Sequence, residues 1–325
     1  MSIYRPLASV ILATLVAAAT AHAETPADRP RVHSLRIVIL STMLADEGIG
    51  EWGFAALVLV DGERILFDTG ARPNTVLENA RELKVDLAGV SEVVLSHNHS
   101  DHTGGLLTLR RELGRTNAAT LARAHVGRGI FWSRPGADVA GEKNAMLAVR
   151  TEYEKGGGVF VEHDGPVQLR PGVWLTGPVP RVYPERNWSG AGRVRAPEGL
   201  IEDNVPEDQS LVFDTDRGLV VLTGCGHAGV VNTLEQARRV VREAPVHALV
   251  GGLHLFPLDD ERLDWTADKL KAFGLENLIG AHCTGLEAVY RLRARDGLTR
   301  QTAVVGAVGA SFELGKGINP LELAH

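Results

Sequence analysis

Apolar residues along the chain fall in short runs separated by polar, glycine-bearing turns, and the spacing within the runs distinguishes strands from helices. Leu35-Arg36-Ile37-Val38-Ile39-Leu40 and Phe54-Ala55-Ala56-Leu57-Val58-Leu59-Val60 predict two strands. Asp61-Gly62 then turns the chain into Arg64-Ile65-Leu66-Phe67-Asp68, a hairpin signal. Pro73 opens a helix in which Val76, Leu77, Ala80 and Leu83 recur at helical spacing. From Glu92 onward one unit, strand then histidine then helix, occurs four times. Val93-Val94-Leu95-Ser96 leads into His97-Asn98-His99-Ser100-Asp101-His102, and Thr103-Gly104-Gly105 opens a helix. Leu219-Val220-Val221-Leu222 leads to Thr223-Gly224-Cys225-Gly226-His227, then a helix from Asn232 with Glu235 completing a capping box. Ala248-Leu249-Val250-Gly251-Gly252-Leu253 ends at His254, before a helix near Asp260. Leu278-Ile279-Gly280-Ala281 ends at His282-Cys283, and Thr284-x-x-Glu287 reads as another capping box.

Residues 24–325 read as a single domain, with a polar linker at 24–33. Between 114 and 206 the pattern loosens into an insertion or lid. Two readings stand there: extra strands such as Gly172-Val173-Trp174-Leu175, or a lid whose Trp132, Trp174 and Trp188 line a pocket. The start of the chain has a different character. Arg5, an apolar stretch at 7–16 and Ala21-His22-Ala23 form the pattern of a cleaved secretory signal over residues 1–23. A membrane span needs about 20 apolar residues. The expectation is a mature chain that is periplasmic or secreted, with no stable membrane insertion.

Composition narrows the partners. Lys and Arg total 34 against 40 Asp and Glu, a net charge of −6, which argues against a nucleic-acid binder. Apolar residues at 44% and charged residues at 23% are ordinary for a globular chain. No Gly-x-Ser-x-Gly elbow and no phosphate-binding Gly-x-x-x-x-Gly-Lys-Ser/Thr loop occurs, which removes serine-nucleophile and nucleotide-driven chemistry. A small-molecule substrate remains, and the sequence is silent on oligomeric state.

The histidines carry the chemistry. Six of the twelve (97, 99, 102, 227, 254 and 282) stand at strand ends, where ligands gather in layered α/β folds. Imidazole and carboxylate are what zinc-like ions select, so this clustering predicts a shared metal site. Residues two apart on an extended segment point the same way, which lets His97 and His99 bind one ion together. Asp101 and His102 follow once the chain has turned toward the helix and face a second ion. That spacing suits two metals about 3.5–4 Å apart, as in two-metal hydrolases.

The run His97-x-His99-x-Asp101-His102 resembles the signature of the metallo-β-lactamase-fold hydrolases. The similarity is strongest to the branch related to dihydropteroate synthase, the 7,8-dihydropterin-6-yl-methyl-4-(β-D-ribofuranosyl)aminobenzene 5′-phosphate synthase-like proteins. It rests also on Trp52-Gly53-Phe54, Leu66-Phe67-Asp68-Thr69-Gly70, Thr176-Gly177-Pro178-Val179-Pro180-Arg181, the segment 223–229, Gly251-Gly252-Leu253-His254 and His282-Cys283-Thr284-Gly285. The resemblance implies an αββα four-layer sandwich with the metal site at the sheet edge. It implies that His97, His99 and His227 hold a first metal and Asp101, His102 and His282 a second. Zinc is the implied ion, as two ions, with iron or manganese as alternatives. Where the superfamily has a bridging Asp after Thr-Gly, this chain has Cys225, so the bridge is absent or replaced by that cysteine. His254 reads as ligand, proton donor or oxyanion stabiliser, with support behind a ligand or contact with substrate ranked first. Asp68 either orients a ligand histidine or simply forms the turn before Thr69-Gly70.

Three function classes follow. The first is a hydrolase of a small ester, lactone, thioester or phosphoester, with Asp101 orienting the nucleophile and His254 near the substrate. The second is an iron-dependent, oxygen-using enzyme on the same fold, such as a sulfur dioxygenase. The third is a metal- or ligand-binding protein without turnover. Two cysteines make no disulfide framework. Cys225 and Cys283 each stand beside a strand-end histidine, and three readings apply: a disulfide, a Cys225 thiolate on the second metal, or tight buried packing.

Overall fold

The computed structural model of the chain describes residue 1 and residues 30–135, 141–187 and 192–323. Nearly all of the expected signal segment, residues 2–23, and Trp188 lie outside the described residues. One half of the molecule is built by β1 (Leu35–Ser41), β2 (Ala55–Val60), β3 (Glu63–Phe67), α1 (Thr75–Glu82), β4 (Glu92–Val94), α2 (Ser100–Thr103), α3 (Leu106–Gly114), β5 (Arg123–Gly127), α4 (Met146–Lys155) and β6 (Val159–His163). The other half is built by β7 (Val167–Arg170), β8 (Val173–Leu175), β9 (Arg193–Ala196), β10 (Gly199–Glu202), β11 (Leu211–Thr215), β12 (Gly218–Thr223), α5 (Val230–Val240), β13 (Val246–Gly251), α6 (Asp260–Ala272), β14 (Asn277–Gly280), α7 (Leu286–Asp296) and β15 (Ala303–Val305). The chain then returns to the first half with β16 (Ser311–Glu313) and β17 (Gly317–Asn319).

Two sheets result. The first has the order β17-β16-β1-β2-β3-β4-β5-β6 and the second β15-β14-β13-β12-β11-β8-β7, with β9 and β10 as a separate ribbon. Strand periodicity explains the layering, because alternate residues face opposite sides of a sheet. In β1, Ile37 and Ile39 join an apolar layer shared with Val220 and Leu222 of β12 and Val250 of β13, between the sheets. Their neighbours Val38 and Leu40 point outward and pack with Val76 and Leu109 under α1 and α3. In the second sheet Val221 and Leu249 likewise point outward, beneath Leu234 of α5 and Leu263 of α6. Three apolar layers therefore separate four structural ones, the expected αββα sandwich.

Local signals held where turn chemistry is strict. Asp61 and Gly62 both take positive φ, 47° and 85°, the conformation that a two-residue hairpin between twisted strands requires. Asp259 caps α6 by accepting a hydrogen bond from the Arg262 amide at 2.9 Å. The two capping boxes expected from the sequence did not form. α5 begins at Val230, ahead of Asn232, and Thr284 lies before Gly285, which flanks α7. The Asn232 side chain instead accepts from the amides of Val182 and Tyr183, while Thr284 Oγ1 accepts from Leu253 N. Tertiary partners outcompete the local cap. Of the segment 114–206, β5 and β6 extend the first sheet and β7 and β8 the second. Trp174 packs on the outer core of the second sheet. Among the described residues no helix is long and apolar enough to cross a membrane.

Candidate metal centre

All four histidine-bearing loops leave the carboxyl ends of β4, β12, β13 and β14, and they meet in one pocket of about 420 Å³. β12, β13 and β14 run parallel, so their ends share an edge; β4, in the facing sheet, brings the fourth loop to it.

His97, His99 and His227 form one wall. Their ligand nitrogens lie within 4.8 Å of one another, and the ring centroids are 4.6–4.9 Å apart. Each buried ring is tied from behind. Ser96 Oγ lies 2.8 Å from His97 Nδ1, and His227 Nδ1 donates to the Asn187 carbonyl at 2.7 Å. The opposite nitrogens, His97 Nε2 and His227 Nε2, are buried with no hydrogen-bond partner. Burial, then the neighbouring imidazoles, holds His97 and His227 well below the usual histidine range, and burial brings His99 down to about 4. At neutral pH these are neutral rings, the form that coordinates a metal.

Asp101, His102 and His282 form the second wall, also within 4.8 Å. His102 Nε2 is 3.3 Å from His282 Nε2, and Asp101 Oδ2 is 3.3 Å from the same His282 atom. Asp68 fixes this wall: its Oδ2 accepts from His102 Nδ1 at 2.7 Å and from Ser96 Oγ at 2.7 Å, and its Oδ1 accepts from Ser96 N. Of its two expected roles, orienting a histidine is therefore met in the geometry, and its positive φ of 55° makes the turn as well. Burial opposes a charge on His102, but Asp68 and then Asp101 override it and raise the ring to about 9. Burial likewise opposes a charge on Asp101, yet His282 and His102 hold its carboxyl well below the usual carboxylate range.

Cys225 stands between the walls, its Sγ 3.1 Å from His102 Nε2 and 3.2 Å from Cys283 Sγ. Both cysteines are free and buried, so the disulfide reading does not hold here. Burial, then the Cys283 sulfur, pushes the Cys225 thiol well up. His254 lies against His227, with ring centroids 4.6 Å apart, and belongs to neither wall. Asp68, His254 and His282 all take positive φ, at 55°, 49° and 47°. Such conformations cost about 1–3 kcal/mol each and persist only where surrounding contacts enforce them. For His282 one such contact is Thr42 Oγ1, which accepts from its amide at 2.9 Å.

The supporting residues were not legible as site residues. Glu207, Asp208 and Gln209 form a buried stitch behind the histidine loops. Glu207 accepts from Asn98 N, Gln209 N donates to Ser96 O, and Asp208 Oδ2 accepts from Ala228 N, next to His227. Arg134 closes the stitch with two hydrogen bonds to Glu207, at 2.8 and 2.9 Å. Trp52 and Phe256, 49% and 52% exposed and in edge contact at 5.6 Å, stand at the mouth, and Lys143 lines the same pocket. The segment 114–206 thus gives the pocket Lys143 and Ala145 and none of its described tryptophans.

A family model described as the metallo-β-lactamase superfamily matches residues 51–241, more than half of the chain and most of this site. The chain belongs to the metallo-β-lactamase superfamily. Its members are mostly hydrolases that bind metal ions. This superfamily member is 29% identical over 269 residues to a curated protein of Methanocaldococcus jannaschii named 7,8-dihydropterin-6-methyl-4-(β-D-ribofuranosyl)-aminobenzene-5′-phosphate synthase, a match covering 79% of this chain and 90% of that one. An uncharacterized protein of the same organism is 27% identical, covering 74% of this chain and 86% of its own. A solved structure described as a metal-dependent hydrolase of the β-lactamase superfamily aligns at a TM-score of 0.68 with 27% identity, covering 85% of this chain and 98% of that one.

Proposed function

We propose that this superfamily member is a metal-dependent hydrolase of a small ester, lactone, thioester or phosphoester. The observation that carries the reading is the pair of buried, unpartnered nitrogens His97 Nε2 and His227 Nε2. A buried polar atom left unsatisfied costs about 1–3 kcal/mol, and a cation shared with His99 would recover that cost. We assign His97, His99 and His227 to one ion and Asp101, His102 and His282 to a second, with zinc favoured by this donor set and iron or manganese its rivals. Such ions supply Lewis acidity, acidifying water and polarising a carbonyl or phosphoryl group.

The chain's own groups do the rest. Asp101, partly open to the pocket, orients the attacking water. Asp68 keeps the His102 ring in one tautomer and direction, as outer carboxylates do. Trp52 and Phe256 hold an apolar part of the substrate, Lys143 faces an anionic part, and His254 contacts the reacting end and protonates the leaving group. The signal-like residues 1–23 support a site of action in the periplasm or outside the cell.

Group transfer is the second reading. The M. jannaschii relative is named a synthase, and the exposed aromatic pair at the mouth offers a surface for an acceptor other than water. Metal analysis joined to a panel of esters, lactones, thioesters and phosphodiesters tests the proposal. Zinc with hydrolysis is expected. Iron with oxygen uptake, or bound metal without turnover, would replace it, and a product carrying an added acceptor would favour transfer.

A further inference from the structure

Beside the two histidine walls lies a third donor cluster of different chemistry. Cys225 Sγ and Cys283 Sγ are 3.2 Å apart, both free and buried. A ring nitrogen of His254 lies within 4.8 Å of both sulfurs. His254 itself is only 7% exposed, and its Nδ1 is buried without a hydrogen-bond partner. All three residues line the open pocket, so a solute reaches them from outside. Gly252 packs close to the sulfur of Cys283: a Cβ there would meet it at 2.9 Å.

We propose that Cys225, Cys283 and His254 form a thiophilic metal site, taking a soft cation such as Cd(II) or Cu(I) in preference to oxygen-seeking ions. Thiolate donors select such ions, while carboxylate and water suit magnesium, calcium and manganese. Chelation spreads the two sulfurs. At the zinc–sulfur length of about 2.3 Å and a tetrahedral angle they must stand roughly 3.8 Å apart, against 3.2 Å now, and a larger ion such as Cd(II) spreads them further. Each thiol releases its proton to solvent as the ion binds, so no oxidant or reductant enters the step. The ion would also draw His254 away from substrate, so soft cation and substrate compete for that ring. The competition for His254 rests on the hydrolytic reading; the binding of the soft ion does not.

The test uses the full chain, reduced and stripped of metal, with Cd(II) as the probe. A thiolate-to-metal charge-transfer band should appear and saturate with one equivalent of the ion. Cys225→Ser and Cys283→Ser should each lose at least half of the band, the double variant all of it, and His254→Ala should weaken Cd(II) by at least about tenfold, the least that losing even an outer partner costs. The His97→Ala/His99→Ala variant should keep the band, which separates this site from the wall of His97, His99 and His227, while the need for Cys283 separates it from the wall of Asp101, His102 and His282. In unmutated protein, Cd(II) should protect both thiols from alkylation, a readout that needs no variant to fold. A band that survives loss of either cysteine, thiols alkylated equally fast with and without Cd(II), or thiols detectable only after reduction would overturn the proposal.

Discussion

In the wall formed by His97, His99 and His227, Ser96 and Asn187 tie His97 and His227 from behind and leave a nitrogen of each open. In the wall formed by Asp101, His102 and His282, the polar atoms face one another at 3.3–3.9 Å, and Asp68 stands behind. The first wall is neutral because burial and mutual repulsion remove its protons; the second keeps a proton on His102 because two carboxylates face that ring. One wall is thus prepared for a cation from solution, and the other already holds a positive charge that a cation would have to displace. The fold delivers both from the same edge, so the difference lies in a few partners at the back of each ring.

The comparison is broken most severely by removing the open nitrogens. His97→Ala/His99→Ala should abolish retention of the ion of the first wall and reduce turnover to background, as read by metal analysis after dialysis alongside an activity assay. Full metal occupancy in that variant would mean that the neutral wall is not the ion site. Asp101→Asn comes next, since it keeps the shape and removes a charge from the second wall only. Turnover should drop by at least about 10²-fold, the usual effect of losing one electrostatic or acid–base group, while the ion of the first wall stays. Wild-type turnover with the second ion missing would show that the neutral wall suffices.

A smaller effect is expected where the two walls touch. Ser96 Oγ lies within hydrogen-bond distance of His97 Nδ1, at 2.8 Å, and of Asp68 Oδ2, at 2.7 Å, so one hydroxyl braces a ring of the first wall and the carboxylate behind the second. Ser96→Ala should weaken metal binding by about tenfold, the low end for losing such a brace. Isothermal titration of both ions resolves whether the loss falls on one wall or on both. Equal loss on both would make the walls a single unit.

Much of this was legible from the chain because strand ends announce themselves. The repeat of apolar run, histidine and helix named all six site histidines, and alternation along the strands gave the layers. The braces were hidden for a physical reason. Glu207 reaches Asn98 across 109 positions and Arg134 across 73, and a charged residue paired at such a distance looks in sequence like any solvated one. Glu185 is the clearest case. The local pattern promised that Asn232 and Glu235 would cap their own helix, yet the carboxylate that serves the first turn of α5 comes from 46 residues upstream. β15, β16 and β17 lay beyond the last recognisable motif and carry only three residues each, too few for periodicity to register.

That carboxylate allows the last and smallest test, on the support behind the neutral wall. Glu185 accepts from Val231 N at 3.1 Å and Asn232 N at 2.8 Å at the start of the helix that follows His227. Burial raises its pKa from 4.5 to about 7, with the helix amides pulling the other way. A carboxyl whose folded pKa is raised binds more protons folded than unfolded, so its contribution to stability is full below about pH 4.5 and fades as pH climbs through about 7. Glu185→Gln has no proton to lose. The melting temperature of the wild type relative to this variant should therefore be highest near pH 4.5 and fall by a few degrees by pH 8, as followed by circular dichroism. A difference that stays flat across that range would mean that the carboxyl is ionised throughout and that the helix amides, rather than burial, set its charge.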